Sequence, residues 1–545
     1  MTKLLAACAL AMMFHAPARS QSDYSNYQQQ TARINALAKA HPQLVQVKSI
    51  VKTAGGKDIW MLTISSGNAA AKPAIAVVGG VAGNHLLGTE LAIGFAEQLT
   101  RSAGTDSIRK VLDATTYYVF PNMSPDAMEQ YFGKLKYERQ GNANATDDDR
   151  DGKLGEDESD DLDGDGKITW MRVASPVGTH MPHPDYPQVM IKADPAKGEK
   201  GTYLLLPEGR DNDKDGNFNE DGAGGVWFNR NLSYKPPVFT PGSGEFPVSE
   251  PETRALLDLL YDAFNVFAVV SFGPDNNLST PVAFNAAAAS QRLVSGYLEP
   301  DTKISSLVSD LYNKTTGMKD APKTTPGGGD FLSWGYFHYG RYSFGTPGWF
   351  VPKAKADTTK KEKALSVDDP VANYLRFANQ QSITGTFTDW KPVQHPDFPG
   401  QQVEVGGIDP FVLMNPPMKL VPDITTKHTS FLLKLAALQP QIDILNVRTE
   451  KLNGGLTRIT ADIVNKGAFP ATSALGEKSY WLKRINVNLK LSSGQQMVSG
   501  KKIQLLNTLP AMESNQLTWL IKGTGTITLE AGAPTTGTKK TDIKL

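Results

Sequence analysis

Thiol chemistry is the first thing this sequence lacks. Its 545 residues include one cysteine, Cys8, inside what reads as an N-terminal leader. The mature chain is therefore expected to have no thiol nucleophile, no thiolate metal site and no disulfide. Net charge is also missing, since 56 basic residues face 56 acidic ones, which leaves no electrostatic case for nucleic acid or an anionic membrane surface as partner. Long apolar runs are absent too. The stretch Leu4 to Phe14 is too short to span a bilayer, and nothing later is long and apolar enough. No G-x-S-x-G elbow marks a serine hydrolase either, although Ser271 ends an apolar run.

What is present begins with that leader. Lys3, the apolar run and Ala16-Pro17-Ala18 have the n-region, h-region and A-x-A layout of a secretory signal peptide, assigned to residues 1–20. A periplasmic or secreted, bacterial-type protein is expected. Leu5-Ala6-Ala7-Cys8 imitates a lipoprotein box, but the apolar run before Cys8 is too short for one.

Residues 24–435 are expected to form one α/β domain. Tyr27 to Lys39, Leu86 to Leu99 and Glu250 to Phe264 have helical periodicity, and Val45 to Ile50, Ile59 to Ile64, Ile75 to Val78, Tyr117 to Phe120 and Val266 to Phe272 read as strands. Lys353 to Leu365 is a lysine-rich surface stretch, followed by mixed helix and loop. After Pro440 short alternating segments separated by Gly, Asn and Ser predict an all-β, immunoglobulin-like sandwich over 440–545.

Three acidic segments interrupt the first domain. Asp147, Asp149, Asp151, Gly152, Leu154 and Glu158 fit the D-x-D-x-D-G loop with an acid at position twelve. Asp161, Asp163, Asp165, Gly166 and Ile168 repeat its start, with Arg172 at position twelve, and Asp211, Asp213, Asp215, Gly216 and Phe218 repeat it again. Alternate carboxylates of this kind converge on one hard cation while the glycine gives the sharp turn, so calcium is expected. The bland alternative, a solvated acidic loop, leaves many like charges packed without neutralisation. No flanking EF-hand helices are evident. The loops are expected to order a long insertion.

The stretch Ile75 to Glu90, I-A-V-V-G-G-V-A-G-N-H-L-L-G-T-E, runs from strand through glycine turn to helix and resembles the metal-binding turn of the zinc carboxypeptidase family. There the pattern is strand-G-x-H-x-x-E. Four further segments follow in the family's order: Pro121 to Ala127 for N-x-x-P-D-G, Trp227 to Leu232 for D-x-N-R-N-F, Val270-Ser271-Phe272 for H-S-Y, and the run from Trp334 to Pro347 for W-x-Y-x-x-G-x-x-Y-S-F-T-x-E. The resemblance implies a carboxypeptidase-like mixed sheet flanked by helices. It also implies that Asn229 and Arg230 hold a substrate carboxylate, for which the planar arginine fork is suited. Arg139, fourteen residues after Pro125, corresponds to an arginine that polarises the scissile carbonyl. A structural salt bridge at Arg230 and a plain surface role for Arg139 stay open.

The departures fall on the chemistry. The family's mechanism needs zinc with three protein ligands and a glutamate base. The four corresponding positions hold Ala82, His85, Val270 and Pro347, of which only His85 can touch a metal. Zinc is therefore doubtful. The expectation is a non-catalytic relative that binds peptide C-termini or small carboxylates. Two alternatives remain: an active metallocarboxypeptidase with relocated ligands, drawing on Glu90, His180, His183 or His338, and a calcium-stabilised envelope binding protein that works through its sandwich.

Overall fold

The computed structural model describes residues 23–147, 152–155, 157–214, 216–219, 224–353, 363–479 and 481–545. The predicted leader with Cys8, and Asp149, Asp151 and Asp215 of the acidic loops, lie outside the described residues. Among those residues no helix is long and apolar enough to cross a membrane.

Twelve named strands precede residue 410: β1 Val45–Lys52, β2 Asp58–Ile64, β3 Ala74–Val78, β4 Thr116–Phe120, β5 Trp170–Ala174, β6 His180–Pro182, β7 Met190–Lys192, β8 Tyr203–Pro207, β9 Val266–Phe272, β10 Tyr342–Thr346, β11 Phe387–Val393 and β12 Val403–Ile408. Six of them form a mixed sheet in the order β1-β2-β4-β3-β9-β10. The first two pairings are antiparallel, and β4, β3, β9 and β10 run parallel.

The central strands read as unbroken apolar runs because both faces of this sheet are covered. Along β3, Ile75 and Val77 enter one apolar layer, Ala74, Ala76 and Val78 the other, and all five are fully buried. The helices that supply these layers are α1 (Tyr27–Ala40), α2 (Leu86–Arg101), α3 (Pro251–Asp262), α4 (Glu299–Thr316) and α5 (Val421–Ala436). A capping box of Asn26 and Gln29 starts α1, and Pro251, which has no N–H to leave unpaired, starts α3. On one face α5 lies across α2 and α4.

The insertion after β4 is not a loop. Its strands β5 to β8 join β11 and β12 in a second sheet, order β11-β12-β5-β8-β6-β7 and antiparallel throughout. Expectation and structure differ here, since residues after 365 read as helix and loop. In β11, F-T-D-W-K-P-V, the proline and two charges hide the strand; Pro392 is accommodated because β11 is an edge strand.

After residue 440 two four-stranded sheets face each other. Their strands are β13 Ile442–Leu452, β14 Leu456–Asn465, β15 Ile485–Lys490, β16 Gln496–Ser499, β17 Ile503–Leu506, β18 Ser514–Lys522, β19 Thr526–Ala533 and β20 Gly537–Lys544, in the orders β13-β14-β18-β16 and β17-β15-β19-β20. One apolar core, with Ile459, Trp519, Val487 and Leu529, fills the space between them. This all-β unit is anchored to the first domain. Phe469 is fully buried, with its ring 4.9 Å from Tyr342 and 5.7 Å from Phe267. Asp301 accepts the backbone N–H of Ala474 at 2.8 Å and of Leu475 at 3.2 Å.

Candidate functional site

Parallel strands β3, β4, β9 and β10 end on one edge of the first sheet, where open α/β folds place their ligand sites. The turn after β3 is tightly built. A Cβ at Gly83 would lie 2.2 Å from Ala127 Cβ and 2.8 Å from Arg139 O, so only glycine fits between the two following loops. Beyond β10, Gly348 has φ +73°, and a Cβ there would meet Leu91 Cδ1 at 2.4 Å.

His85 ends the β3 turn and stands at the N-terminus of α2, with no exposed surface. Its Nε2 is 3.0 Å from Pro347 O. A carbonyl only accepts, so Nε2 of the ring carries a proton. Burial pushes its pKa down to about 4, against smaller opposing effects from the carbonyls of Pro347 and Phe272. Nδ1 is buried with no partner. Two of the four family positions are thus closed on each other by the chain's own hydrogen bond, across 262 residues of sequence. Ala82 is buried beside them and has no ligand atom.

Val270 lies inside β9, paired with Val77 and Phe344, and its side chain joins the apolar layer under α2. The backbone of β9 that meets His85 belongs to Phe272, two residues on, so Val270 is not at the site. These residues do not fit zinc. One neutral imidazole, already hydrogen-bonded, stands among apolar side chains where three ligands with an open fourth position are needed. Behind Pro347 lies a polar chain that the sequence did not reveal. Tyr312 OH is 2.6 Å from Thr346 Oγ1 and 3.0 Å from His428 Nε2, and His428 Nδ1–H donates to Ile424 O at 2.8 Å. His428 too is held near pKa 4, by burial.

The other candidate ligands are engaged elsewhere. Glu90 accepts from Ser25 N at 2.9 Å and from Arg33 Nη1 at 2.6 Å. His183 Nε2 is 3.0 Å from Val367 O, His180 Nδ1 is 3.0 Å from Thr179 Oγ1, and His338 Nδ1 is 2.8 Å from Ser233 Oγ.

The expected carboxylate binders have mixed positions. Asn229 is committed to the protein: its Nδ2 donates to Asp275 Oδ2 at 2.8 Å and its Oδ1 accepts from Phe331 N at 2.9 Å. Burial, and after it the charge of Asp330, raises the Asp275 carboxyl to about 6. Arg230 lies 3.9 Å over the Trp227 ring and donates through Nη1 to Pro241 O at 2.8 Å, which leaves Nε and Nη2 available. Arg139 donates through Nη2 to Asn142 O at 2.5 Å, with Nε buried and unpartnered. The loops that carry the two arginines are joined where Asn142 N donates to Val226 O at 3.0 Å.

The acidic segments share one geometry. In each, the glycine N–H donates to the first aspartate: Gly152 to Asp147 at 3.0 Å, Gly166 to Asp161 at 2.8 Å and Gly216 to Asp211 at 3.1 Å. The three glycines have φ of +98°, +81° and +93°. Oxygens of Asp161, Asp163 and Glu208 lie within 4.8 Å of one another, and Glu208 was not singled out from the sequence. Asp163 also binds Lys391 Nζ at 2.9 Å. Asp165 accepts from Lys167 N at 2.9 Å, and Glu158 is exposed.

Residues 31–292 match the profile of a family described as zinc carboxypeptidase, and residues 441–544 match a domain of unknown function. Among curated proteins the chain is similar to a zinc carboxypeptidase of Saccharothrix mutabilis subsp. capreolus, 27% identical over 109 residues that make up 19% of this chain and 25% of that protein. It is also similar to carboxypeptidase E of Caenorhabditis elegans, 26% identical over 122 residues, 22% of this chain and 26% of that protein. The matches thus span about a quarter of either relative. A solved carboxypeptidase A from Helicoverpa armigera overlaps 76% of this chain and 73% of its own, at 12% identity and a TM-score of 0.41. An overlap of that quality says nothing about function.

Proposed function

The chain is a member of the metallocarboxypeptidase family through residues 31–292, and on that premise we propose that it is a binding protein of the family without the hydrolytic centre. The observation that carries this reading is the hydrogen bond from the fully buried His85 Nε2 to Pro347 O. It fills the place of a metal ligand and of the general base with one internal contact. Without a bound ion, water keeps its high pKa, and proline has no group to take a proton.

The ligand is a peptide C-terminus or a small carboxylate. Arg230 is the anchor, because part of its guanidinium remains free beside Trp227. Arg139 stands in an adjoining loop, and Asn229 acts through Asp275 rather than on the ligand. The protein is exported, its insertion is ordered by calcium, and its C-terminal sandwich is of the immunoglobulin-like class.

Isothermal titration of the full chain with short peptides and their C-terminal amides tests the reading. Free-acid peptides bind, amides bind at least tenfold more weakly, and Arg230→Ala removes the difference. Equal binding of acids and amides, or no effect of Arg230→Ala, defeats it. Chelator-sensitive peptide cleavage lost in His85→Ala establishes the relocated-zinc alternative instead.

A further inference from the structure

The acidic insertion contains two carboxylate clusters that look alike in sequence and differ in structure. Around Asp161 and Asp163 the protein supplies its own cation. Lys391 Nζ lies 2.9 Å from Asp163 Oδ2, and the three aspartates of that loop raise the lysine's pKa. Glu208, the buried member, has both oxygens occupied: it accepts from Leu162 N at 2.9 Å, from Thr169 N at 2.8 Å and from Thr169 Oγ1 at 3.0 Å.

Around Asp211 there is no such relief. Three carboxylates accept hydrogen bonds from residues 211 and 212. Asp157 Oδ1 accepts from Asn212 N at 3.0 Å, Asp160 Oδ2 from Asn212 Nδ2 at 3.1 Å, and Asp397 Oδ2 from Asp211 N at 3.1 Å. Asp211 closes its own loop by accepting from Gly216 N. Among the described residues no lysine or arginine pairs with Asp157, Asp160, Asp211 or Asp397. Among the described residues the one basic side chain within ion-pair distance of these carboxylates is His395, whose Nδ1 is 3.7 Å from Asp397 Oδ2. That imidazole is neutral, because its Nε2 donates to Gly209 O at 2.7 Å while its Nδ1 accepts from Asp397 N at 3.2 Å.

Asp157 supplies a second, independent observation. It has no exposed surface, and its Oδ2 has no hydrogen-bond partner. Asp211 Oδ1 is buried and unpartnered as well. A buried carboxylate with neither a counter-charge nor a donor on one oxygen is costly to desolvate. Proteins relieve that cost by pairing the group or by coordinating a metal.

We propose that Asp157 and Asp211 are ligands of one divalent cation of the calcium type, held where two segments of the insertion meet. The pattern residue Asp213 belongs to the same loop. A hard ion with six to eight oxygen ligands and loose geometry suits carboxylates contributed from separated positions. The ion ties residue 157 to residue 211 and thereby fixes Phe218, whose ring stacks 5.9 Å from Phe398 and lines a cavity of about 480 Å³ shared with Glu138, Trp170 and Trp390. The proposal rests on the reading of the insertion as calcium-ordered and narrows it. The ion belongs to the Asp157–Asp211 cluster, and the Asp161 loop is satisfied by Lys391.

Calcium titration calorimetry on the full chain, after chelator treatment, tests it. Asp157→Asn and Asp211→Asn each lose one equivalent of bound calcium or weaken it at least tenfold, whereas Asp161→Asn leaves that equivalent intact. Circular dichroism guards against misfolding. Asn keeps the Oδ1 acceptor of Asp157, so the Asn212 contact survives, and terbium luminescence reports the site in whichever variant is folded. Calcium binding at full stoichiometry and affinity in both Asp157→Asn and Asp211→Asn overturns the proposal while sparing the calcium reading. No calcium binding by the unmodified chain overturns both.

Discussion

The turn at the ends of β3 and β10 and the acidic insertion treat polar groups in opposite ways. At the turn the chain satisfies itself. His85 donates to Pro347 O, Tyr312 links Thr346 to His428, and apolar side chains fill the rest. Around Asp157 and Asp211 in the insertion, no lysine or arginine among the described residues pairs with the carboxylates, and buried Asp157 and Asp211 oxygens have no partner. The lesson is that the polar group at the family's metal position is satisfied by the chain itself, whereas carboxylate oxygens outside that resemblance are buried and unpartnered.

The comparison can be broken most forcefully at Gly83. Gly83→Val would drive a side chain into Ala127 Cβ and Arg139 O, and overpacking of this kind costs about 3 kcal/mol. Urea denaturation should show that loss; a neutral result would mean the turn is not closed as described. Next in size is the response to calcium. At a hundredfold excess over Kd, a single native-state site stabilises by about 2.7 kcal/mol. The melting temperature should rise with calcium in the unmodified chain and far less in Asp157→Asn.

His85→Ala is expected to cost about 2 kcal/mol, through the carbonyl left unpaired and the space opened. It should also change the pH response. The folded pKa near 4 lies below the ordinary histidine value, so the unfolded chain takes up the proton first as pH falls. His85 stability is complete above about 6.5 and is lost toward pH 4. The variant should show a shallower decline across that window, with His428 among the groups that supply the remainder.

The smallest effect sharpens the seam between the regions. Glu252 is buried, accepts from Asn142 Nδ2 at 2.9 Å, and is raised to about 7 chiefly by burial, against that hydrogen bond. An acid with a raised folded pKa contributes stability below its ordinary value, and that stability drains away as pH rises toward 7. Glu252→Gln should remove this contribution, which opposes that of His85 between about pH 4.5 and 7, so that the melting temperature of the variant gains relative to the unmodified chain as pH rises; an unchanged difference would exclude Glu252 as its source.

Much of the first domain was legible in the sequence because its central strands are buried on both faces. Val266 to Phe272 was read to the residue, and Ile75 to Val78 to within one. The second sheet was not legible. β11 alternates poorly, and β12 is V-E-V-G-G-I, too glycine-rich to signal a strand. In the sandwich, β20 escaped notice because G-T-K-K-T-D-I-K carries one apolar residue, Ile543. At the site the family resemblance pointed to Ala82, His85, Val270 and Pro347. It could not show that two of them bond each other across 262 positions, nor that Val270 sits inside the core. In the insertion it gave the repeated aspartates but not their partners: Lys391 is 228 residues from Asp163, and Asp157 was one acid among many.

Zinc titration calorimetry on the calcium-saturated chain, beside His85→Ala, tests the central claim most directly. The account predicts no saturable zinc binding that distinguishes the two proteins. One equivalent bound with submicromolar Kd by the unmodified chain, and lost in His85→Ala, would contradict it.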